Sequence, residues 1–161
     1  MNKAIETAIN KQINAELESA YLYLGMAAFL ESENWKGMAS WMKSQSKEEI
    51  THAMKIYDYV YDRGGKVMLH TLPAPKQTWK DPLDVFTAAY NHELAITAMI
   101  HNLVRLSDTH KDLATHEMLH WFIKEQVEEE AQVNEIVQKL KMIKGSPGGI
   151  MWLDKDLSKR E

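Results

Sequence analysis

The sequence has no cysteine, only four prolines and seven glycines, and no long apolar run. Without cysteine there are no disulfides, no Cys-based zinc sites, no Fe–S clusters and no thiol nucleophile. No stretch approaches the roughly 18 apolar residues of a membrane span. The opening segment, MNKAIETAINKQINAELESAY, lacks the apolar block of about 7–15 residues that a signal peptide carries. A cytoplasmic protein is expected. An excess of positive charge is missing too: 19 Lys and Arg stand against 23 Asp and Glu, for a formal net charge of -4. That excludes a polybasic nucleic-acid arm and argues against a membrane partner. What is present is 45% apolar content over 161 residues, which predicts one domain, 1–161, with a real core.

The scarce prolines and glycines are clustered, and they divide the chain. Between Asn2 and Arg63 there is no proline, and the only glycines are Gly25 and Gly37. There Ile5, Ile9, Ile13, Ala20, Tyr23, Ala27 and Leu30 recur at helical spacing and predict a helix over about 2–31. The polar ESEN stretch, Glu31–Asn34, suits a turn. Met38, Met42, Ile56 and Val60 mark a second helix over about 35–63, which Gly64-Gly65 ends. Residues 64–81, with Pro73 and Pro75, break the pattern. Asp81-Pro82-Leu83-Asp84 reads as a capped helix start, and Phe86, Ala89, Ile96, Ile100 and Val104 carry a third helix over about 82–106. Beyond the SDTHKD turn a fourth helix covers about 112–144, and a short tail helix about 147–157.

The connections set the topology. The first and third are short, so each flanking pair is antiparallel. The middle link of about 18 residues reaches roughly 59 Å when extended, whereas a helix of about 28 residues is about 42 Å long. The link can therefore run the length of the bundle and set the third helix parallel to the second. An all-α, ferritin-like four-helix bundle with one long crossover and a short C-terminal fifth helix is expected.

The acids carry the chemistry. Rotated at 100° per residue, Ile5, Ile9, Tyr23 and Ala27 project within about 20° of Glu16. Met38, Met42, Ile56 and Val60 surround Glu49 in the same way, with His52 about 60° away. Phe86, Ile100 and Val104 flank Glu93. Met118, Phe122, Ile136 and Leu140 flank Glu129, with Glu125 about 40° off. An isolated buried carboxylate is strongly disfavoured unless neutralised or paired. One such residue alone reads as a helical glutamate snorkelling to solvent from a bundle edge. Four of them, each near the middle of its helix, share a bundle height. Lys and Arg are nearly absent from these stripes, Arg63 at a helix end excepted, so bound metal is the natural counter-charge. Glu49 and His52 form an E-x-x-H pair on one helix face. A site of several carboxylates and one imidazole suits iron or manganese over zinc.

The segments NAELESAYLY, KEEITHAMKIYDYV, NHELAIT, WFIKEQVEEEA and LDKDLS resemble the bacterial non-haem ferritins, a member of the di-iron carboxylate group, over essentially the whole chain. By that resemblance Glu16, Glu49 and His52 hold a first iron, and Glu49, Glu93 and Glu129 a second, with Glu49 bridging. It also implies a third iron site at Glu48, Glu125, Glu128 and Glu129. Gln126 matches a glutamine that hydrogen-bonds near the second iron, and Tyr23 and Trp121 match aromatic positions beside the centre. The implied function is oxidation of iron(II) by dioxygen, with storage of the mineral in a homo-oligomeric shell of 24 subunits. There is one E-x-x-H, since Gln132 and Ile96 stand where a second histidine is needed. Ile50 follows Glu49 where bacterioferritin places its haem-ligating methionine, so no haem is expected. DNA-protecting miniferritins, with an inter-subunit iron site and often a basic tail, are not matched, and no nucleic-acid partner is expected.

His116-Glu117-Met118-Leu119-His120 is a formal H-E-x-x-H, the metalloprotease pattern. Relative to Glu129, however, His120 points about 180° and His116 about 140° away, out of the bundle. A small metalloprotease and a plain helical structural protein are the alternatives. His70, His92, His101 and His110 fall off the metal stripe. The ten methionines are expected mostly at core positions, and Trp79 and Trp152 at subunit contacts.

Overall fold

Asn2 starts the first helix, its side-chain oxygen accepting the Ala4 N–H at 2.8 Å. In the computed structural model, which describes residues 1–160, α1 spans Lys3–Ser32, α2 Lys36–Asp62, α3 Pro82–Thr109, α4 Leu113–Met142 and α5 Pro147–Leu157. The ends follow local chemistry. Asn34 (φ 64°) and Lys111 (φ 54°) adopt left-handed backbone in the two short turns, and Gly64 and Gly145 do so after α2 and α4. Asp81 accepts the Asp84 N–H at 2.8 Å while Asp84 accepts the Lys80 N–H at 3.0 Å, a reciprocal cap that starts α3. α3 continues through Ser107, Asp108 and Thr109, into the stretch the sequence reads as a turn. Asp112 shortens that turn by capping α4 at the Thr115 N–H, 3.1 Å away.

Contacts between helices give their directions. Glu6 near the start of α1 accepts the Lys66 N–H beyond the end of α2, so α1 and α2 are antiparallel. Along α2 and α4, Gln45 meets Glu129 while Tyr59 meets Thr115, so this pair is also antiparallel. Tyr23 meets Glu93, and Gln126 meets Thr97, which place α1 beside α3 and α3 beside α4. Arg63, just past the end of α2, binds Asp112, just past the end of α3, at 3.0 Å. α2 and α3 therefore end at the same end of the bundle and run parallel, and the bundle has the expected crossover. Its backbone is held along α1: Asn10 accepts the Met68 N–H at 2.6 Å and donates to the Lys66 carbonyl at 3.0 Å. Further on, the crossover passes so close to Gly25 that a Cβ there would stand 3.1 Å from Pro75 Cγ.

Two apolar clusters fill the bundle, one around Tyr23, Met42 and Phe86, the other around Ile9, Ile56 and Phe122. Trp79 belongs to the first, edge-on to Phe29 at 5.5 Å, so it is a core residue of its own chain; Trp152 is exposed. The methionines also depart from expectation. Met26, Met38 and Met42 are buried, but Met54, Met142 and Met151 are exposed, because helical spacing alone does not separate a stripe's centre from its flank, and Met68 is exposed in the crossover, outside any helix. Val104 and Met118 likewise lie at the edge, with Leu103 and Leu119 buried instead.

α5 docks on the start of α2. Leu153 is buried there, and Asp154 accepts the Met38 N–H at 2.8 Å. A Cβ on Gly37 would stand 1.7 Å from the Asp154 carbonyl oxygen, so only glycine permits this approach. Gly37→Ala is expected to undock α5 and destabilise the chain by about 1–3 kcal/mol. Faster cleavage within residues 143–160 by limited proteolysis, with the four long helices intact, is the check.

Candidate metal centre

Four helices each deliver one carboxyl to the middle of the bundle. Glu16, Glu49, Glu93 and Glu129 are all buried, none more than 3% exposed. Among the described residues no Lys or Arg nitrogen lies within 4.0 Å of any of them. Burial, then the neighbouring Glu49 charge, pushes the Glu16 carboxyl well above its usual range. Burial, then Glu93 and Glu129, does the same to Glu49. Glu93 is raised by burial, against the lowering effect of hydrogen bonds from Tyr23 and Gln126. Glu129 is pushed up to about 7 by burial and then by Glu93. These groups destabilise one another unless a proton or a cation intervenes.

The ligand atoms converge in two groups. One oxygen each of Glu16 and Glu49 and a ring nitrogen of His52 lie within 4.8 Å of one another. A second set joins His52, Glu125 and Glu129 at the same spacing. His52 Nδ1 stands 3.3 Å from Glu49 Oε2, and its Nε2 3.9 Å from Glu125 Oε1. Glu93 falls in neither group; the Tyr23 hydroxyl donates to its Oε1, and Gln126 Nε2 to its Oε2 at 3.2 Å. Burial and then the Glu93 charge hold the Tyr23 phenol well above its ordinary value, keeping the hydroxyl protonated as a donor. Trp121 packs edge-on to His52 at 5.5 Å, with Lys55 Nζ 4.4 Å above its ring centre.

The outer carboxylates separate. Glu125 joins His52 and Glu129, Glu48 binds Arg160, and Glu128 is exposed and in neither group. His116 faces away from the centre, its Nδ1 2.7 Å from Asp108 Oδ1, and His120 is exposed. His92, half-buried, hydrogen-bonds Ser19 at 2.7 Å.

Two glutamines escape the sequence reading. Gln12 Nε2 donates to Glu16 Oε1 at 2.7 Å, and Gln45 Nε2 to Glu129 Oε2 at 2.6 Å and Glu49 Oε1 at 3.5 Å. Their signal is a repeated Gln-x-x-x-Glu spacing, Gln12 before Glu16 and Gln45 before Glu49, which places both on one helix face. Glu16 Oε2, by contrast, is buried with no hydrogen-bond partner, as a ligand oxygen is before it meets a cation. Gln12→Leu frees the other oxygen too and is expected to weaken cation binding at Glu16 by roughly 10–100-fold, measured by zinc calorimetry.

A family model for the ferritin-like domain matches residues 6–143. The chain belongs to the ferritin family. It is 38% identical over 160 residues to a bacterial non-heme ferritin of Bacteroides fragilis (strain 638R), covering 99% of each chain. A second bacterial non-heme ferritin, from Staphylococcus saprophyticus, is 36% identical over 99% of this chain and 96% of its own. Among solved structures, an open pore ferritin from the archaeon Archaeoglobus fulgidus superposes with a TM-score of 0.99 at 44% identity, over 100% of this chain and 99% of that one. Membership of this family supports iron storage, and no helix of the described residues is long and apolar enough to cross a membrane.

Proposed function

We propose that this ferritin oxidises iron(II) with dioxygen at the four-helix centre and stores the iron(III) product in the cytoplasm, inside a hollow shell of 24 copies. The observation that carries the reading is the set of four buried carboxyls with no Lys or Arg nitrogen within 4.0 Å among the described residues, one of them with an oxygen that no donor meets. Iron is the substrate. Glu16, Glu49 and His52 take the first ion and Glu49, Glu93 and Glu129 the second, with Glu49 shared and Glu125, beside His52, at the edge toward a third.

Each group has a task. Glu49 is shared by the two ions, and His52 is the single nitrogen donor. Carboxyls held protonated by burial release those protons as the cations enter, so binding and proton loss are coupled. Tyr23 and Gln126 fix the orientation of Glu93, and Gln45 that of Glu129, which keeps the ligand geometry while each iron(II) gives one electron to dioxygen. Assembly is supported by large apolar side chains left in water, among them Tyr21, Leu24, Leu69 and Trp152.

Aerobic addition of iron(II) tests the reading. Rapid oxidation is expected in the wild type and in His116→Ala, and not in Glu49→Ala; loss in the His116 variant alone would sink the proposal. A particle of several hundred kilodaltons is expected in size-exclusion chromatography, against 18.6 kDa for one chain, and a monomer would contradict the shell.

A further inference from the structure

The side of the centre at Glu48 carries a cation of the protein's own. Arg160, two turns of chain beyond the anchor of α5, lays its guanidinium over the Trp41 ring at 4.4 Å from the centroid. One nitrogen, Nη1, donates to Gln45 Oε1 at 2.8 Å, and the other, Nη2, donates to Glu48 Oε2. The Arg160 side chain is only 18% exposed, whereas Glu48 keeps 46% of its surface. The arginine is therefore seated and the carboxylate is open to solvent. The seat is set by the fold, because α5 is fixed on α2 through Gly37, Leu153 and the Asp154 contact with Met38. None of the four helical stripes contains this residue.

We propose that Arg160 competes with an incoming metal ion for Glu48 and thereby weakens a third site beside the two-ion centre. The inference rests on the metal-centre reading above. A planar guanidinium bound to a carboxylate through a charge-assisted hydrogen bond, and stacked on an indole, is a strong local counter-charge. An ion that takes Glu48 must displace it. The same guanidinium holds the Gln45 oxygen, leaving the Gln45 amide hydrogens for Glu129 and Glu49. One contact thus keeps the inner two-ion set in order while the other withholds Glu48 from a third ion. Glu48 is electrostatically part of the cluster, since its charge adds to the upward push on Glu129.

Anaerobic calorimetry with zinc(II) on the whole assembled protein tests this, comparing wild type, Arg160→Gln, Glu48→Gln and the double variant. Arg160→Gln is expected to make a weak third binding event appear, or to tighten it at least about tenfold, and Arg160→Lys to fall between. In the double variant the gain vanishes, because its ligand is gone. A gain that persists without Glu48 would mean that Arg160 acts only by docking α5, and would overturn the proposal. So would tight binding of two ions with an unchanged third event, which leaves the metal centre standing. Absence of any zinc binding by the wild type would instead sink the metal-centre reading, and this proposal with it.

Discussion

Exchanging Glu49 for glutamine is expected to slow iron(II) oxidation by at least about a hundredfold and, in the same variant, to stabilise the metal-free protein near pH 8. The two effects have one origin. Glu49 sits at 2% exposure with Glu16 and His52 beside it, and the charges of Glu93 and Glu129 act on it. As a carboxylate it can ligate two ions; without them it is a buried charge facing like charges. Glutamine keeps the shape and an oxygen for the Gln45 amide, 3.5 Å away, but removes the charge. Relief of that burial is worth on the order of 1–3 kcal/mol, a rise of several degrees in melting temperature for a chain of this size. Stopped-flow oxidation and calorimetry of chelator-treated protein measure the two effects. Unchanged oxidation would contradict the ligand role of Glu49, and lower stability in the variant would contradict the cost assigned to its burial.

The second large effect is on pH dependence. The metal-free protein is expected to lose stability as pH rises from about 5 to 8, and a divalent cation to restore it most strongly at the upper end. All four central carboxyls are shifted upward, so over this range the folded chain holds protons that the unfolded chain has released. Their contribution is complete below the unfolded value and is lost as pH rises through the folded one. For Glu129 those limits are 4.5 and about 7, a loss on the order of 3 kcal/mol by pH 8. Saturation at a hundred times Kd returns about 2.7 kcal/mol per ion, and more ligand is deprotonated at high pH to receive it. Urea denaturation at several pH values, with and without zinc, checks both halves. Stability of the metal-free protein that climbs steadily from pH 5 to 8 would contradict the assignment.

The centre was legible because its residues break a pattern. Each of Glu16, Glu49, Glu93 and Glu129 replaces an apolar residue at the middle of a stripe, where periodicity makes an acid conspicuous. The crossover was legible too, since its length against that of the helices allows a parallel α2 and α3. Arg160 was invisible for the converse reason. It lies on no stripe, and its approach to Glu48 depends on how α5 docks, which rests on the missing side chain of Gly37. The pairing of Glu125 with His52 is a contact between α4 and α2, which no rotation within one helix can show. Trp79, alone in a proline-bearing link, gave no periodicity from which its burial against Phe29 could be read.

The central claim is that these four helices hold two iron ions between them. An anomalous-scattering map at the iron edge, from a crystal soaked anaerobically in iron(II), tests it directly. Two peaks per chain are predicted, one bonded to Glu16, Glu49 and His52 and the other to Glu49, Glu93 and Glu129. Iron at His116 and His120 instead, or no iron between Glu16 and Glu129, would contradict it.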